Sequence, residues 1–112
     1  MKNISKTFLL LLFLITSMFV NAHGATTLIG TRSCSDWMKS RSTDKSLKLT
    51  RLNNETWLLG YLSGLSSGSG KDALANTNNS SIFTWMDNYC QKNPMNNISD
   101  GGVYLFLELE NR

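Results

Sequence analysis

The N-terminal segment constrains the fold most, because it predicts that the folded domain is shorter than the printed chain. Lys2 and Lys6 precede a mostly apolar run over 8–20, and Val20 and Ala22 put small residues at the −3 and −1 positions of a cleavage site. A helix of that length spans about 20 Å, which is too short for a hydrocarbon core of ~30 Å. We therefore predict a cleaved secretory signal peptide over 1–22 and no stable membrane anchor after cleavage.

Two cysteines, Cys34 and Cys90, lie in the part of the chain that would be exported. Export places them in an oxidising compartment, where an even number of cysteines favours a disulfide, and two cysteines allow one intramolecular bond. Two free thiols or an intermolecular disulfide are the alternatives. The chain has no C-x-x-C sequence, so we do not expect a redox-active pair.

Large apolar residues follow a helical period in two stretches, at 57, 61 and 65 and at 82, 85, 86 and 89. The sequence predicts an all-α fold, a small bundle of three to four short helices stapled by one disulfide, with a flexible leader over 23–33 and a single helical domain over 34–112. Lys45–Leu52 fits either a strand or a helix, and 66–79 is predicted as a long loop. The first predicted helix runs from about Cys34 to Asp44, and the second follows an N-cap at Asn53 or Asn54. The third runs from Ser81 to Asn93 after an N-cap at Ser80, and the fourth covers 103–109 after an N-cap at Asn97.

Some residues are predicted to pack inside the bundle. Gly60 and Gly64 lie four apart on one helix and each costs about 1 kcal/mol relative to Ala, so we expect them to let another helix approach closely. The stretch 103–109 is apolar nearly all round, which favours a central helix or one covered by a second subunit, and hence a homodimer. The predicted core aromatics are Trp37, Trp57, Tyr61, Trp85 and Tyr89.

Charge and composition argue against several classes of function. Without Lys2 and Lys6 the chain is nearly neutral, which gives no argument for nucleic-acid binding. Basic residues outnumber acidic ones over 23–52 and the reverse holds over 53–112, which indicates either an ordinary solvated surface or a basic patch that meets an acidic partner. His23 is the single histidine, so we expect no metal site, no cofactor and no catalytic residues, and we do not expect an enzyme.

Three segments resemble a known family: Arg32-Ser-Cys-Ser-Asp-Trp37, Trp57-Leu-Leu-Gly-Tyr-Leu-Ser-Gly64, and Trp85-Met-Asp-Asn-Tyr-Cys-Gln-Lys-Asn-Pro94. They resemble the small periplasmic superfamily that contains the HdeA-like acid-stress chaperones and the immunity proteins of type VI secretion amidase effectors, and are most similar to the immunity-protein branch. The resemblance implies an all-α fold, one disulfide matching Cys34–Cys90, a periplasmic location and frequent dimers.

The resemblance also implies a function. Immunity proteins of this kind block an effector's active site with a loop, so the expected partner-binding residues are Ser67, Ser69, Lys71 and Asp72 in the predicted loop. We expect a non-enzymatic periplasmic binding protein, an immunity or inhibitor protein against a cell-wall amidase effector. The alternatives are an acid-stress periplasmic chaperone and an envelope protein of unassigned role.

Overall fold

The computed structural model describes residues 26–112, so the predicted signal peptide over 1–22 lies outside the described residues. Within that range the chain forms four α-helices and one short 3₁₀ turn, which confirms the all-α fold. A disulfide joins Cys34 to Cys90, as predicted, and links the first helix to the third. The helices are α1 (Cys34–Ser40), α2 (Lys48–Ser69), α3 (Asn79–Lys92) and α4 (Ile98–Glu110), and the 3₁₀ turn is Lys45–Leu47.

α1 is a short helix with a side-chain cap at its start. The Ser33 hydroxyl accepts a hydrogen bond from the backbone N–H of Asp36 at 3.0 Å, as an N-cap residue does. The helix ends at Ser40, earlier than the predicted end at Asp44. Asp44 instead caps the 3₁₀ turn, because its carboxylate accepts from the N–H of Ser46 at 2.8 Å.

α2 begins at Lys48, so the segment that fitted either a strand or a helix is a 3₁₀ turn followed by helix. The prediction that Asn53 or Asn54 caps a helix is wrong, because both residues lie inside α2. Asn54 is buried against α1, where its Nδ2 donates to Ser40 Oγ at 3.2 Å. This tertiary contact gives the asparagine a partner in a helix interior, a position that its local preferences disfavour.

The connection between α2 and α3 is shorter than predicted. α2 ends at Ser69, and Gly70 adopts a φ of +70°, the left-handed conformation that commonly terminates a helix. The α2–α3 loop therefore covers 70–78 instead of 66–79. Asn78 caps α3 in place of the predicted Ser80, because its side chain accepts from the N–H of Ser81 at 2.9 Å.

α4 is a helix, as predicted, and it packs against both α2 and α3. The Asp100 carboxylate accepts from the N–H of Asn97 at 2.8 Å and stabilises the first turn of α4. α1 contacts the same two helices, so all four helices share one core. The largest fully buried side chains are those of Trp37, Leu58, Leu62, Met86 and Ile98.

The residues before α1 are hydrogen-bonded to the helices. Trp57 Nε1 donates to the carbonyl oxygen of Ile29 at 2.8 Å, and the N–H of Ile98 donates to the carbonyl oxygen of Arg32 at 2.9 Å. Thr31 Oγ1 also lies 3.1 Å from Ser99 Oγ. The part of the predicted leader that the structure describes is therefore attached to α2 and α4.

Close helix contact occurs at different glycines from those predicted. Gly60 and Gly64 are exposed, and a Cβ added at either would meet nothing within 4 Å, so the prediction that they pack against a helix is wrong for the described chain. A Cβ at Gly101 would lie 2.7 Å from a ring carbon of Tyr89, and one at Gly102 would lie 2.9 Å from a ring carbon of Tyr61. The glycines of α4 therefore allow it to lie close to α2 and α3.

The five predicted core aromatics differ in burial. Trp37 is fully buried, and its indole N–H donates to Asp87 Oδ1 at 2.8 Å. The other four are half-buried at the margin of the core and form two stacked pairs. Trp57 stacks on Tyr61 with ring centroids 5.0 Å apart, and Trp85 stacks on Tyr89 at 5.5 Å.

Candidate functional site

The α2–α3 loop is anchored to the end of α2 by one buried side chain. The Ser66 hydroxyl donates to the carbonyl oxygen of Lys71 at 2.7 Å and accepts from the N–H of Ala73 at 3.2 Å. The Ser69 hydroxyl adds a second set of bonds, because it donates to the Ser66 carbonyl oxygen and accepts from the N–H of Lys71. These bonds hold the start of the loop in one conformation.

Further contacts fix the loop to the rest of the domain. Lys71 Nζ forms an ion pair with Glu110 Oε1 at 2.9 Å, which ties the loop to the end of α4. Ala73 and Leu74 are half-buried and pack against the core. Asp72 and Asn76 stay exposed between these attachments. The loop therefore has an apolar side that packs on the domain and a polar outer surface.

A shallow groove of about 200 Å³ lies between this loop and the end of α4, and we call it the loop groove. Lys71, Asp72 and Asn76 line its loop side, and Glu110 and Arg112 line the opposite side. The groove carries both signs of charge, and its amide and charged groups both donate and accept hydrogen bonds. Such a lining suits recognition of a polar protein surface.

The structure brings together only some of the predicted partner-binding residues. Lys71 and Asp72 both line the groove, whereas the Ser69 hydroxyl is engaged in holding the loop and Ser67 is exposed on α2. Sequence reasoning missed Ser66 as the anchor, although it continues the four-residue spacing of the buried Leu58 and Leu62. It also missed Glu110 and Arg112, because nothing in the local sequence predicts that the chain's last residues meet this loop.

The end of α4 beside the groove carries a perturbed carboxylate. The hydrogen bond from Arg112, followed by the one from the Trp85 indole, lowers the pKa of Glu108. Arg112 Nη2 donates to Glu108 Oε1 at 2.6 Å, and Trp85 Nε1 donates to Glu108 Oε2 at 3.0 Å. Glu108 therefore joins α3 to the end of α4 in its ionised form.

The outer surface of α4 is a second candidate for partner contact. Val103, Tyr104 and Leu107 are 39%, 61% and 46% exposed and lie on one side of the helix. Tyr104 also packs at a tilt on Tyr89, with ring centroids 5.9 Å apart. This α4 face is where the sequence predicts a second subunit, and the homodimer stays a prediction.

Comparison of the chain with protein-family models, with curated proteins and with solved structures finds no match. Among residues 26–112, no group of three or more His, Cys, Asp or Glu side chains is placed to hold a metal ion. No helix in the described range combines the length and the apolar character that crossing a membrane requires.

Proposed function

We propose that this chain is a non-enzymatic periplasmic binding protein that inhibits a protein partner, and that the α2–α3 loop makes the inhibitory contact. The observation that carries the proposal is the anchoring of the loop by Ser66 and by the Lys71–Glu110 ion pair. A loop already held in one conformation loses less entropy on binding, so more of its contact energy appears as affinity.

The chemistry of the loop supports a protein partner. Asp72 and Asn76 are exposed and supply a carboxylate and an amide at the outer surface, where they can pair with polar groups in a partner's cleft. By its resemblance to the immunity-protein branch, the partner is a cell-wall amidase effector that reaches the periplasm. The chain would then act by covering the amidase's active site.

The first experiment uses the protein exported by its own predicted signal peptide and with its disulfide oxidised. It serves as bait for secreted cell-wall hydrolases at neutral pH, and the activity of any retained amidase is measured with increasing amounts of the protein. We expect one amidase to be retained in a fixed stoichiometry and to lose activity on binding. Absence of such an amidase, together with suppression of client aggregation at pH 3, would favour the acid-stress chaperone.

A matched pair of asparagines tests the role of the loop. Asn76→Ala alters the loop surface, and Asn88→Ala alters an exposed asparagine on α3 that does not line the loop groove. We expect Asn76→Ala to weaken inhibition about fivefold or more, because truncation of a residue that contributes strongly to an interface costs above about 1 kcal/mol. Asn88→Ala should inhibit like the parent. Equal inhibition by the loop variant and the parent would contradict the assignment of the loop.

A further inference from the structure

A second groove lies between α1 and the first turns of α2, away from the α2–α3 loop in sequence. Its volume is about 320 Å³, and its lining includes Arg32, Asp36 and Lys39 on one side and Leu47, Thr50 and Asn54 on the other. We call it the α1–α2 groove. None of the predicted partner-binding residues lines it.

The α1–α2 groove is lined by two cations that form no ion pair within residues 26–112. The ion pairs among residues 26–112 are formed by Arg41, Lys71 and Arg112, and none involves Arg32 or Lys39. The one carboxylate in the lining, Asp36, accepts a hydrogen bond from the Ser33 hydroxyl at 2.9 Å. The lining therefore holds two cations and one carboxylate, and neither cation is in an ion pair.

Arg41 is close to the groove in sequence but, unlike Arg32 and Lys39, it forms ion pairs. Its guanidinium pairs with Glu55 and Asp87 and lies over the Trp37 ring, 5.3 Å from the centroid. The structure thus neutralises this half-buried cation internally and leaves Arg32 and Lys39 exposed. Cations that are left unpaired in a cleft attract anionic groups to it.

The groove is also lined by a hydrogen-bond acceptor that is nearly buried. Asn54 is only 2% exposed, and its Nδ2 donates to Ser40 Oγ, but its Oδ1 accepts no hydrogen bond from residues 26–112. No fully buried side-chain oxygen or nitrogen in the described range lacks a partner, so this Oδ1 keeps some exposure to solvent, and Asn54 lines the groove. A ligand that displaces this solvent must supply a donor, because an unpaired polar atom at a buried site is costly.

We propose that the α1–α2 groove binds an extended acidic segment of a protein partner. Carboxylates of the segment pair with Arg32 and Lys39, and a backbone N–H of the segment donates to Asn54 Oδ1. The proposal rests on the proposed function, that the chain binds a protein, and adds the chemistry of that protein's surface. An anionic membrane fits less well, because a flat surface does not reach a side chain that is 2% exposed at the base of a groove.

Fluorescence anisotropy of a labelled peptide of alternating Glu and Gly tests the proposal on the exported, oxidised protein. We expect binding that weakens with added salt, because the contact is electrostatic. Lys39→Glu should weaken binding about tenfold, since it places like charges together. The control is Lys92→Glu, which makes the same change of net charge at an exposed cation on α3 outside the groove, and it should bind the peptide within about twofold of the parent.

A second peptide tests the buried acceptor without altering the protein. In a peptide of alternating N-methylglutamate and N-methylglycine, the charges are unchanged but a methyl group replaces the hydrogen of every backbone N–H. We expect this peptide to bind about tenfold more weakly than the Glu–Gly peptide, because Asn54 Oδ1 loses its donor. Equal binding of the two peptides, or equal effects of Lys39→Glu and Lys92→Glu, would overturn the proposal.

Other outcomes separate this proposal from the proposed function. Binding to vesicles that contain phosphatidylglycerol, without binding to the Glu–Gly peptide, would overturn the acidic-segment proposal in favour of a membrane surface. Retention and inhibition of an amidase without peptide binding would overturn the groove assignment and leave the proposed function supported. Peptide binding without any inhibited hydrolase would support the groove and contradict the inhibitor function.

Discussion

The helical glycines Gly64 and Gly101 differ in the space around them, and substitution of each by alanine measures the effect of that difference on stability. Gly64 lies on the exposed side of α2 with open space where a Cβ would be, whereas Gly101 lies in α4 against Tyr89 and Met86. At the first position glycine only weakens the helix. At the second it allows two helices to approach, and a larger residue would require repacking.

Gly101→Ala should therefore destabilise the domain, while Gly64→Ala should stabilise it. The added methyl at Gly101 would lie 2.7 Å from a Tyr89 ring carbon and 2.8 Å from the Met86 sulfur, and such overpacking typically costs about 1–3 kcal/mol. At Gly64 the methyl meets nothing, so the higher helix propensity of Ala should add up to about 1 kcal/mol. Urea denaturation gives the free energy of unfolding of each variant, and two changes of the same sign would contradict this account.

At the scale of whole elements, the helices that the sequence predicted best are those whose local signals agree with their tertiary contacts. α3 was predictable from the helical spacing of 82, 85, 86 and 89, and α4 from Asn97 with Asp100 three residues later. The start of α2 was not predictable, because Asn54 has the character of a cap residue but its partner is Ser40 on another helix. Only the folded chain places these two side chains together.

The candidate site was predictable to a smaller extent. Resemblance to a family directed attention to Lys71 and Asp72, and both line the loop groove. The boundary of the loop was missed because Ser, Gly and Asn are common in loops, whereas Ser66 and Ser69 here complete a helix and then bond to the loop backbone. The approach of Glu110 to Lys71 depends on how α4 lies beside α2, which no local pattern encodes.

The link between α3 and α4 through Glu108 should depend on pH. Hydrogen bonds from Arg112 and then from Trp85 lower the pKa of Glu108 in the folded state. A carboxyl group with a lowered folded pKa stabilises the protein above its unfolded pKa, and this contribution is lost as the pH falls through the folded value. The folded domain should therefore lose this stabilisation in acid, from about pH 5 downward.

Glu108→Gln measures that contribution. The variant keeps an oxygen that can accept from the Trp85 indole but loses the charge, so the parent should exceed it in stability at pH 7 and the difference should shrink towards pH 3. Urea midpoints at several pH values give this difference. In an Arg112→Gln background this difference in stability should change less with pH, because the Arg112 hydrogen bond, the largest cause of the lowered Glu108 pKa, is absent. A difference that stays constant from pH 7 to pH 3 in the parent background would contradict the role of the Glu108 charge.

At the scale of the whole molecule, one covalent link and several hydrogen bonds hold the N-terminal part of the domain to its C-terminal part. Cys34 begins α1 and bonds to Cys90 near the end of α3. Beside this bond, the N–H of Cys34 donates to the carbonyl oxygen of Asn96 at 2.7 Å, and Ser33 pairs with Asn97 in an isolated bridge. The start of α1 is thus held to the end of α3 and to the segment before α4, and loss of the disulfide should weaken this attachment.

Replacement of both cysteines by alanine should lower the free energy of unfolding by about 4 kcal/mol. The disulfide spans a sequence separation of 56, and in the chain-entropy model a closed loop of that size constrains the unfolded chain by about this amount. The same loss should follow reduction of the parent protein, measured by urea denaturation with and without reductant. The double variant should not respond to reductant, which separates the disulfide's effect from any effect of the reductant elsewhere. A loss well below about 1 kcal/mol would contradict the chain-entropy account and would show that the unfolded chain is already restricted without the disulfide.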